Sequence, residues 1–261
     1  MVTFKHEDRQ TMSHNRTPRS ERHGTMKLLL ADDVNAQHVI RAMNSSGEML
    51  KDGKKRIVRR VGDWVIKSTK FNAGVGPLKV TTNPKRYRNG WTVSLVMTQM
   101  EFNIPRPIAY VEHSIAGFIW RSSFIYEYLE DHVPALEFIQ IKAAEGDGAT
   151  IDAFLTTLAD ALNALAKAHV YHRDLKLANI LTKDGTSLYI VDLDEAHMNR
   201  PYVPEQRMRN HIQIAGGMRL FCRANQINQF LQQTLPPGEN PDAWIDQVWK
   251  GIGNRRATRE R

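Results

Sequence analysis

The chain has 261 residues, with 36 Lys and Arg against 28 Asp and Glu, and 41% of its residues are hydrophobic. This is the composition of a folded globular protein, long enough for one large or two small domains with a substantial core. The longest stretch without a charged residue, Ala224 to Gly238, is fifteen residues long and contains several glutamines, so no membrane span is predicted. One cysteine, Cys222, and no signal-peptide pattern predict a cytoplasmic protein.

Positive charge is concentrated in one part of the sequence. Residues 51–88 carry twelve basic and two acidic side chains, and both ends of the chain are also basic. Such a block attracts phosphate-rich partners or an anionic membrane surface. A solvated basic face without a partner explains the composition equally well. Because no nucleic-acid-binding module is recognisable, nucleic acid is not favoured as the partner.

The first half of the chain is predicted to be rich in short strands. Residues 1–25 are polar and lack an apolar period, which predicts a disordered basic tail. Turn residues separate three strand patterns at 48–51, 56–61 and 64–68. The predicted elements that follow are a helix at 86–102, which ends before the proline-rich turn 104–107, and two strands at 108–112 and 123–129.

The second half is predicted to be mainly helical. Thr150 is a candidate cap for a helix that runs to about residue 169, and a hairpin follows around Lys183-Asp184-Gly185. Further predicted elements are helices at 205–224 and 242–250 and a basic tail at 251–261. The order predicts an α+β, two-lobed architecture, with a β-rich N-lobe over residues 26–130 and a helical C-lobe over residues 131–250.

The chemistry-bearing pattern is His-Arg-Asp at residues 172–174, followed after four residues by Asn179. Asp192 ends an apolar strand eighteen residues after Asp174. Phosphoryl transfer needs a carboxylate to accept the proton of the attacking hydroxyl and oxygen ligands to hold magnesium on nucleotide phosphates. A polar turn would explain Asp174 or Asn179 alone, but the combination with Asp192 favours a kinase.

These residues resemble the catalytic loop and the Asp-Phe-Gly segment of the protein-kinase-like superfamily. The resemblance implies that Asp174 is the catalytic base and that Asn179 and Asp192 are Mg²⁺ ligands. It also implies that Lys176 is a cation close to the transferred phosphoryl group.

The resemblance extends to a nucleotide-binding half. Trp64-Val65-Ile66-Lys67 stands where the superfamily has Val-Ala-Ile-Lys, which implies that Lys67 holds the α- and β-phosphates of ATP. The backbone from Glu127 to Asp131 would bond the adenine edge. The turn at Gly53 would cover the phosphates in place of a glycine-rich loop. An exposed lysine on a basic hairpin is the alternative for Lys67.

A narrower resemblance is to the bacterial lipopolysaccharide core kinases, which phosphorylate Kdo or heptose of the inner core. It covers residues 48–230 and is carried by the segments 88–91, 103–109, 124–129 and 191–196. It implies transfer of the γ-phosphoryl group of ATP, with Mg²⁺, to a sugar hydroxyl of a lipid-linked core oligosaccharide. It also implies peripheral contact with the anionic cytoplasmic face of the inner membrane.

Two departures from the kinase pattern keep other functions open. Only one glycine, Gly53, lies between the first two strands, and the predicted helix has no acid before residue 101 to pair with Lys67, although Asn89 is a substitute. A serine/threonine protein kinase and a non-catalytic nucleotide-binding scaffold are therefore the alternatives. The first lacks support because no Ala-Pro-Glu segment follows Asp194. A set of four arginines fits either glycolipid docking or a solvated helix face: Arg207, Arg209, Arg219 and Arg223.

Overall fold

The computed structural model describes residues 18–70, 80–198 and 202–259, with side chains as far as residue 254. The chain divides between Glu130 and Asp131 into two compact units. This is the position at which the sequence analysis divided its two lobes. Residues 1–17 of the predicted disordered tail lie outside the described residues.

The first unit is built on a seven-stranded antiparallel sheet with the order β1-β2-β6-β7-β5-β4-β3. Its strands are β1 (Arg19–His23), β2 (Met26–Leu30), β3 (Glu48–Asp52), β4 (Arg56–Val61), β5 (Trp64–Thr69), β6 (Pro107–Ile115) and β7 (Phe118–Glu127). The predicted three-strand meander is confirmed as β3 to β5.

The prediction of a disordered tail to residue 25 is wrong at its C-terminal end. β1 starts at Arg19 and pairs with β2 along all five of its residues. Its side chains are polar and mostly exposed, so the sequence carries no apolar signal for this strand. Backbone pairing at the edge of a sheet stabilises such a strand without a buried side-chain face.

Two helices of this unit are described over their full length, whereas the sequence predicted one helix here. α1 (Ala36–Asn44) was missed because it has only nine residues. Asn35 caps α1, since its side chain accepts a 2.8 Å hydrogen bond from the Gln37 amide. The apolar side of α1 packs against inward-facing residues of the sheet to form the core of this unit, which includes Leu28, Leu30, Val39, Ala42, Met43, Ile66, Val111 and Ile125.

α2 (Pro84–Gln99) packs on the other face of the sheet. Proline at its first position is favourable, because the N–H that proline lacks has no partner at a helix start. The ring of Trp91 meets Phe124 of β7 edge-on, with ring centroids 6.0 Å apart. Ile125, the next residue in β7, belongs to the α1 core. Because neighbouring strand residues point to opposite faces, α1 and α2 cover opposite sides of the sheet.

The second unit is mainly helical. Its helices are α3 (Ala135–Ala144), α4 (Gly148–Lys167), α5 (Pro204–Met218), α6 (Ala224–Gln233) and α7 (Pro241–Arg259). Its strands are β8 (Val133–Pro134), β9 (Tyr171–His172), β10 (Ile180–Thr182), β11 (Leu188–Ile190) and β12 (Ala196–His197). They form a three-stranded sheet in the order β11-β10-β8 and the pair β12-β9. The predicted hairpin is confirmed as β10 and β11.

Three predicted helix ends in this unit are wrong. The cap of α4 is Asp147, whose carboxylate accepts a 3.0 Å hydrogen bond from the Thr150 amide, so Thr150 is already inside the helix. The helix predicted to reach residue 224 ends at Met218, and α6 is a separate helix. α7 continues to Arg259, so the basic tail predicted from residue 251 is helical that far.

The core of the second unit forms around α4, the most apolar long helix. Phe154, Leu158 and Leu165 of α4 are almost completely buried, as are Phe230 and Leu231 of α6. Each such side chain contributes roughly 1.5–3 kcal/mol of burial free energy. None of the helices in the described part of the chain is long and apolar enough to cross a bilayer.

Candidate active site

The predicted catalytic loop joins β9 to β10. It begins at His172, which pairs with Ala196 of β12, and it ends in a short 3₁₀ turn, Leu177–Asn179, directly before β10. β10 in turn pairs with β11. Strand pairing therefore fixes the loop at both ends, and the buried side chains of Leu175 and Leu177 anchor it in between.

Three of the predicted site residues meet at one carboxylate oxygen. Asp174 Oδ2 accepts a hydrogen bond of 2.7 Å from Lys176 Nζ and one of 3.2 Å from Asn179 Nδ2. Asn179 Nδ2 also donates to the main-chain carbonyl of Asp174 at 2.8 Å. The Asp174 side chain is 47% exposed, so the carboxylate is oriented and still open to solvent.

Asp192 is held close to Asn179 through the backbone. The amide of Val191 donates a 3.0 Å hydrogen bond to the main-chain carbonyl of Asn179. Asp192 itself has φ 62° and ψ 47°, in the left-handed region that a residue with a Cβ seldom adopts. Such backbone strain is characteristic of functional sites. The structure thus brings both predicted magnesium ligands onto adjoining backbone.

His172 is a buried residue of this site. Its Nε2 lies 3.0 Å from the Val191 carbonyl, which can only accept, so Nε2 carries the hydrogen. Burial lowers the pKa of His172, against the opposing effect of Asp192 and Asp174. The neutral ring of His172 therefore links the start of the loop to the end of β11.

Residues on one face of α5 hold the loop, and the sequence predicted this helix but not these contacts. Gln213 Nε2 donates to the Arg173 carbonyl at 3.0 Å, and Asn210 Nδ2 donates to the His172 carbonyl. A Cβ added at Gly217 would lie 3.0 Å from the Leu177 side chain, so a glycine permits this close approach. The spacing of residues 210, 213 and 217 places them on one helix face, and this spacing was the available signal.

Lys67 lies in the first unit, on β5. It is directly opposite Phe124 in the sheet register, and Phe124 contacts Trp91 of α2. Directly opposite residues share a face, so Lys67 lies on the side of the sheet that α2 covers. The predicted strand that carries Lys67 is confirmed as β5. The role of Lys67 in nucleotide binding remains a prediction.

The helix α2 has no acidic residue of its own before its C-terminus, and the carboxylate that contacts it belongs to the sheet. Arg88 of α2 donates through Nε and Nη2 to the two carboxylate oxygens of Glu112 on β6, each at 2.7 Å. Glu112 is almost completely buried. The predicted substitute, Asn89, is on the same helix. Helix and sheet are therefore joined by a charge pair with the arginine on the helix.

Two predicted nucleotide contacts involve amides that already have partners. The Gly53 amide, in the turn between β3 and β4, donates to the Arg56 carbonyl at 2.9 Å. The Glu127 amide donates to the Arg106 carbonyl at 2.9 Å, and the Tyr128 amide donates to the Asp63 carbonyl at 2.8 Å. In the predicted adenine-binding segment, the amides of Glu127 and Tyr128 are therefore already engaged within the first unit.

The four C-terminal arginines do not act as one set. Arg207 Nη2 donates to Asn163 Oδ1 at 3.0 Å and to the Thr234 carbonyl at 2.8 Å, so it ties α5 to α4 and to the end of α6. Burial lowers the pKa of Arg207. Arg209, Arg219 and Arg223 are exposed. Arg207 is a structural residue, and the other three lie on the solvated surface.

The donor atoms of Asn179 and Asp192 fit magnesium. No group of three or more His, Cys, Asp or Glu side chains in the described ranges could hold a metal ion by itself. Mg²⁺ is commonly bound through one or two carboxylates together with nucleotide phosphates, and it prefers oxygen ligands. An amide oxygen and a carboxylate on adjoining backbone meet this requirement.

Asp174, Lys176 and Asn179 meet as the sequence predicted, and Asp192 follows the hairpin, while the roles of these residues remain predictions. The chain is similar to a solved structure of "WaaP in complex with acyl carrier protein", with a TM-score of 0.64 and 14% identity, over 88% of this chain and 98% of that chain. The predicted α+β protein-kinase-like fold, with a β-rich N-lobe and a mainly helical C-lobe, is confirmed.

The family follows from the sequence itself. The family model described as "Lipopolysaccharide kinase (Kdo/WaaP) family" matches residues 85–216, about half of the chain. This protein belongs to the lipopolysaccharide kinase (Kdo/WaaP) family, and it is therefore a member of a phosphotransferase family of lipopolysaccharide biosynthesis. The predicted family is confirmed. A search of curated proteins finds no match to this chain.

Proposed function

We propose that this protein transfers the γ-phosphoryl group of ATP to a hydroxyl of an inner-core sugar, Kdo or heptose, on a lipid-linked core oligosaccharide. The observation that carries the proposal is the geometry at Asp174, whose Oδ2 accepts hydrogen bonds from Lys176 and Asn179. This geometry occurs in a chain of the lipopolysaccharide kinase family.

The chemical step is a displacement at phosphorus. A bond forms between the sugar hydroxyl oxygen and the γ-phosphorus, and the bond from that phosphorus to the bridging oxygen of ADP breaks. Asp174 accepts the proton of the hydroxyl, which orients the oxygen and removes the charge that would build up on it. Lys176 supplies positive charge beside the transferred group. The products are a sugar phosphomonoester and ADP.

The remaining predicted residues bind the nucleotide. Lys67 holds the α- and β-phosphates as a point charge. Asn179 and Asp192 would hold Mg²⁺, which neutralises phosphate charge when bound. The main chain between Glu127 and Asp131 bonds the adenine edge. The turn at Gly53 covers the phosphates, and the lysines of this turn, Lys54 and Lys55, add positive charge there.

The proposal is tested by product mass. The purified chain is incubated with ATP, Mg²⁺ and defined acceptors that carry Kdo alone, Kdo with heptose, or neither. One added phosphate on the Kdo or heptose acceptor is the expected result, and the acceptor that reacts identifies the sugar. Transfer to none of the sugar acceptors, with an active control kinase in the same assay, contradicts the proposal.

The same assay separates the alternatives. A serine/threonine protein kinase would label peptides and leave every sugar acceptor unmodified. A non-catalytic scaffold would bind ATP without Mg²⁺ and release no ADP. The feature that favours a non-catalytic scaffold is the turn at Gly53, which has one glycine where kinases have a glycine-rich loop.

We further propose that the protein works at the cytoplasmic face of the inner membrane through peripheral contact with anionic lipid. A lipid-linked acceptor requires the enzyme to reach a bilayer surface. The excess of basic residues supports this location, since each cation near an anionic surface contributes ~1 kcal/mol.

A further inference from the structure

The end of the β6–β7 hairpin exposes a group of large apolar side chains. Ile115, Phe118 and Trp120 are 61%, 53% and 40% exposed, and they lie within six residues of sequence. Of the nine large apolar side chains exposed in the described part of the chain, no other three are so close in sequence. Exposure of apolar side chains to water is unfavourable. A group of such side chains on the surface is therefore typical of a site that binds a partner.

The hairpin turn makes this group the outermost part of its two strands. Ala116 and Gly117 both have positive φ, 48° and 83°, which is the geometry of a two-residue type I′ turn. Ile115 and Phe118 form the last cross-strand pair before the turn. Alanine is a poor residue for its position because its Cβ disfavours the left-handed region. A tight turn flanked by two exposed apolar residues is the result.

A second hairpin end lies beside the first. The Ser114 amide donates a 2.8 Å hydrogen bond to the Thr25 carbonyl, in the β1–β2 turn. Arg22 of β1 and Lys27 of β2 lie opposite each other, one residue pair away from that turn. Neither forms an ion pair with any described residue. We call these two hairpin ends the tip surface.

The carboxylates next to the tip surface are already neutralised. Glu21 is bonded to Arg19 and His23. Glu112 is bonded to Arg88 through both of its oxygens. The charge that the tip surface presents is therefore positive, which complements an anionic surface.

We propose that the tip surface docks the protein on an anionic lipid bilayer, with Ile115, Phe118 and Trp120 inserted at headgroup depth and Arg22 and Lys27 on lipid phosphates. The proposal rests on the proposed function in one respect, since a lipid-linked acceptor requires a bilayer partner. Aromatic residues favour the membrane interface, where the ring is in an apolar layer and its polar atom meets water.

The size of the tip surface favours a bilayer over a protein partner. A stable protein interface buries about 800 Å² on each side and involves some twenty residues. Three apolar side chains at a hairpin end cover far less. Membrane attachment needs only a small apolar insertion together with basic residues around it.

Flotation with vesicles tests the proposal without ATP or acceptor, so its result is independent of kinase activity. The full chain is mixed with vesicles of phosphatidylcholine and phosphatidylglycerol or of phosphatidylcholine alone. The Ile115→Ser/Phe118→Ser variant is expected to lower the partition coefficient on anionic vesicles at least about tenfold. Its matched control is Met49→Ser/Leu50→Ser on β3, where the residues are 55% and 41% exposed.

The basic part of the surface is tested by charge removal. Arg22→Gln/Lys27→Gln is expected to weaken binding on the order of tenfold at low salt, and Arg41→Gln/Lys51→Gln is its control. Equal binding of the tip variants and their controls overturns the proposal. So does binding that is the same on neutral and anionic vesicles.

Trp120 provides a direct reading of insertion. All five tryptophans lie in described residues, and Trp120 alone is exposed. Brominated lipid is expected to quench the fluorescence of the wild-type chain, and Trp120→Phe is expected to lose that quenching. Quenching that survives Trp120→Phe overturns the proposal. Absence of vesicle binding together with tip-dependent dimers in sedimentation assigns the surface to a second copy of the chain and also overturns it.

A soluble, deacylated sugar acceptor separates this inference from the proposed function. Turnover on that acceptor in the tip variants, with vesicle binding lost, supports both. Vesicle binding without turnover on any acceptor supports the tip surface and contradicts the proposed function.

Discussion

The side-chain amide of Asn210 donates a 2.8 Å hydrogen bond to the main-chain carbonyl of His172, which is 38 residues earlier in the chain. Asn210 is completely buried, and its own oxygen accepts a hydrogen bond from the Tyr202 hydroxyl. The buried Asn210 amide therefore ties the start of the catalytic loop to α5, next to the bond that Gln213 donates to the Arg173 carbonyl. Together with the pairing of β9 and β12, these contacts position Asp174, two residues further on.

Replacement of Asn210 is expected to lower kcat more than it changes the KM for ATP. Asn210→Leu keeps the approximate volume, but it leaves the His172 carbonyl and the Tyr202 hydroxyl without partners, which costs about 1–3 kcal/mol of unfolding free energy for each buried group. We expect kcat to fall on the order of tenfold or more, with KM within about threefold, because misplacement of a base affects the transition state.

Tyr202→Phe is the matched control for Asn210. It removes the hydroxyl donor and leaves the bond to His172 intact, so kcat should stay near that of the wild type. The double variant Asn210→Leu/Tyr202→Phe should recover part of the stability and none of the activity. A recovery of activity in proportion to stability would contradict a positioning role.

Asp174→Asn is expected to abolish most of the turnover while ATP still binds. The substitution keeps the shape of the side chain and removes the proton acceptor, which typically costs about 10²- to 10⁴-fold in rate. Turnover is measured as ADP release, and ATP affinity by calorimetry. Asp160→Asn, an exposed aspartate on α4, is the control and should be indistinguishable from wild type. Near-normal turnover of Asp174→Asn would remove the residue from the mechanism.

The Arg88–Glu112 pair is expected to contribute to the stability of the first unit. Glu112 is 5% exposed and Arg88 28% exposed in their side chains, so loss of one partner leaves a largely desolvated charge. Removal of one partner of a buried pair costs up to 3–5 kcal/mol, and partial exposure of Arg88 reduces this to about 2–3 kcal/mol. Urea unfolding of Arg88→Met measures the loss.

A double-mutant cycle isolates the coupling between these two residues. Arg88→Met/Glu112→Leu replaces both charges with apolar groups and should be more stable than Arg88→Met alone. If the two single substitutions add without coupling, the pair does not hold α2 to the sheet.

Acid is expected to destabilise the second unit through His211. Its Nδ1 accepts a 2.9 Å hydrogen bond from Trp244 Nε1, and burial lowers its pKa from 6.5 to about 3. Below about pH 6.5 the unfolded chain binds a proton that the folded chain does not. The free energy of unfolding therefore decreases by ~1.4 kcal/mol for each unit by which the pH is lowered. Between pH 7.5 and pH 5 this amounts to about 2 kcal/mol.

The measurement is the free energy of unfolding in urea at the two pH values. His211→Gln should reduce the difference between them, because glutamine does not titrate there. His38→Gln, at an exposed position on α1, should leave the difference unchanged. The same pH dependence in wild type and His211→Gln would assign the acid sensitivity to other groups, of which His172 is the next candidate, since burial lowers its pKa as well.

The strands and the motifs were predictable because their signals are local. β4 and β5 were predicted within one residue, since alternation and turn residues lie inside each segment. β1 was missed for the opposite reason: its polar side chains carry no pattern, and only its pairing with β2 makes it a strand. The cap of α4 was misplaced because Asp147 and Thr150 are both suitable cap residues three positions apart, and local sequence does not choose between them.

The sequence by itself was enough to predict a kinase loop, because Asp174, Lys176 and Asn179 lie within six residues and their types and spacing are characteristic. Tertiary structure decided what holds that loop and what surrounds it: the bond from Asn210, the pairing of Arg88 with Glu112, and the exposure of Ile115, Phe118 and Trp120. The first two features join residues that are far apart in the chain. The third depends on whether another part of the folded chain packs over these side chains. Burial and long-range contact are properties of the folded molecule, and no local pattern encodes them.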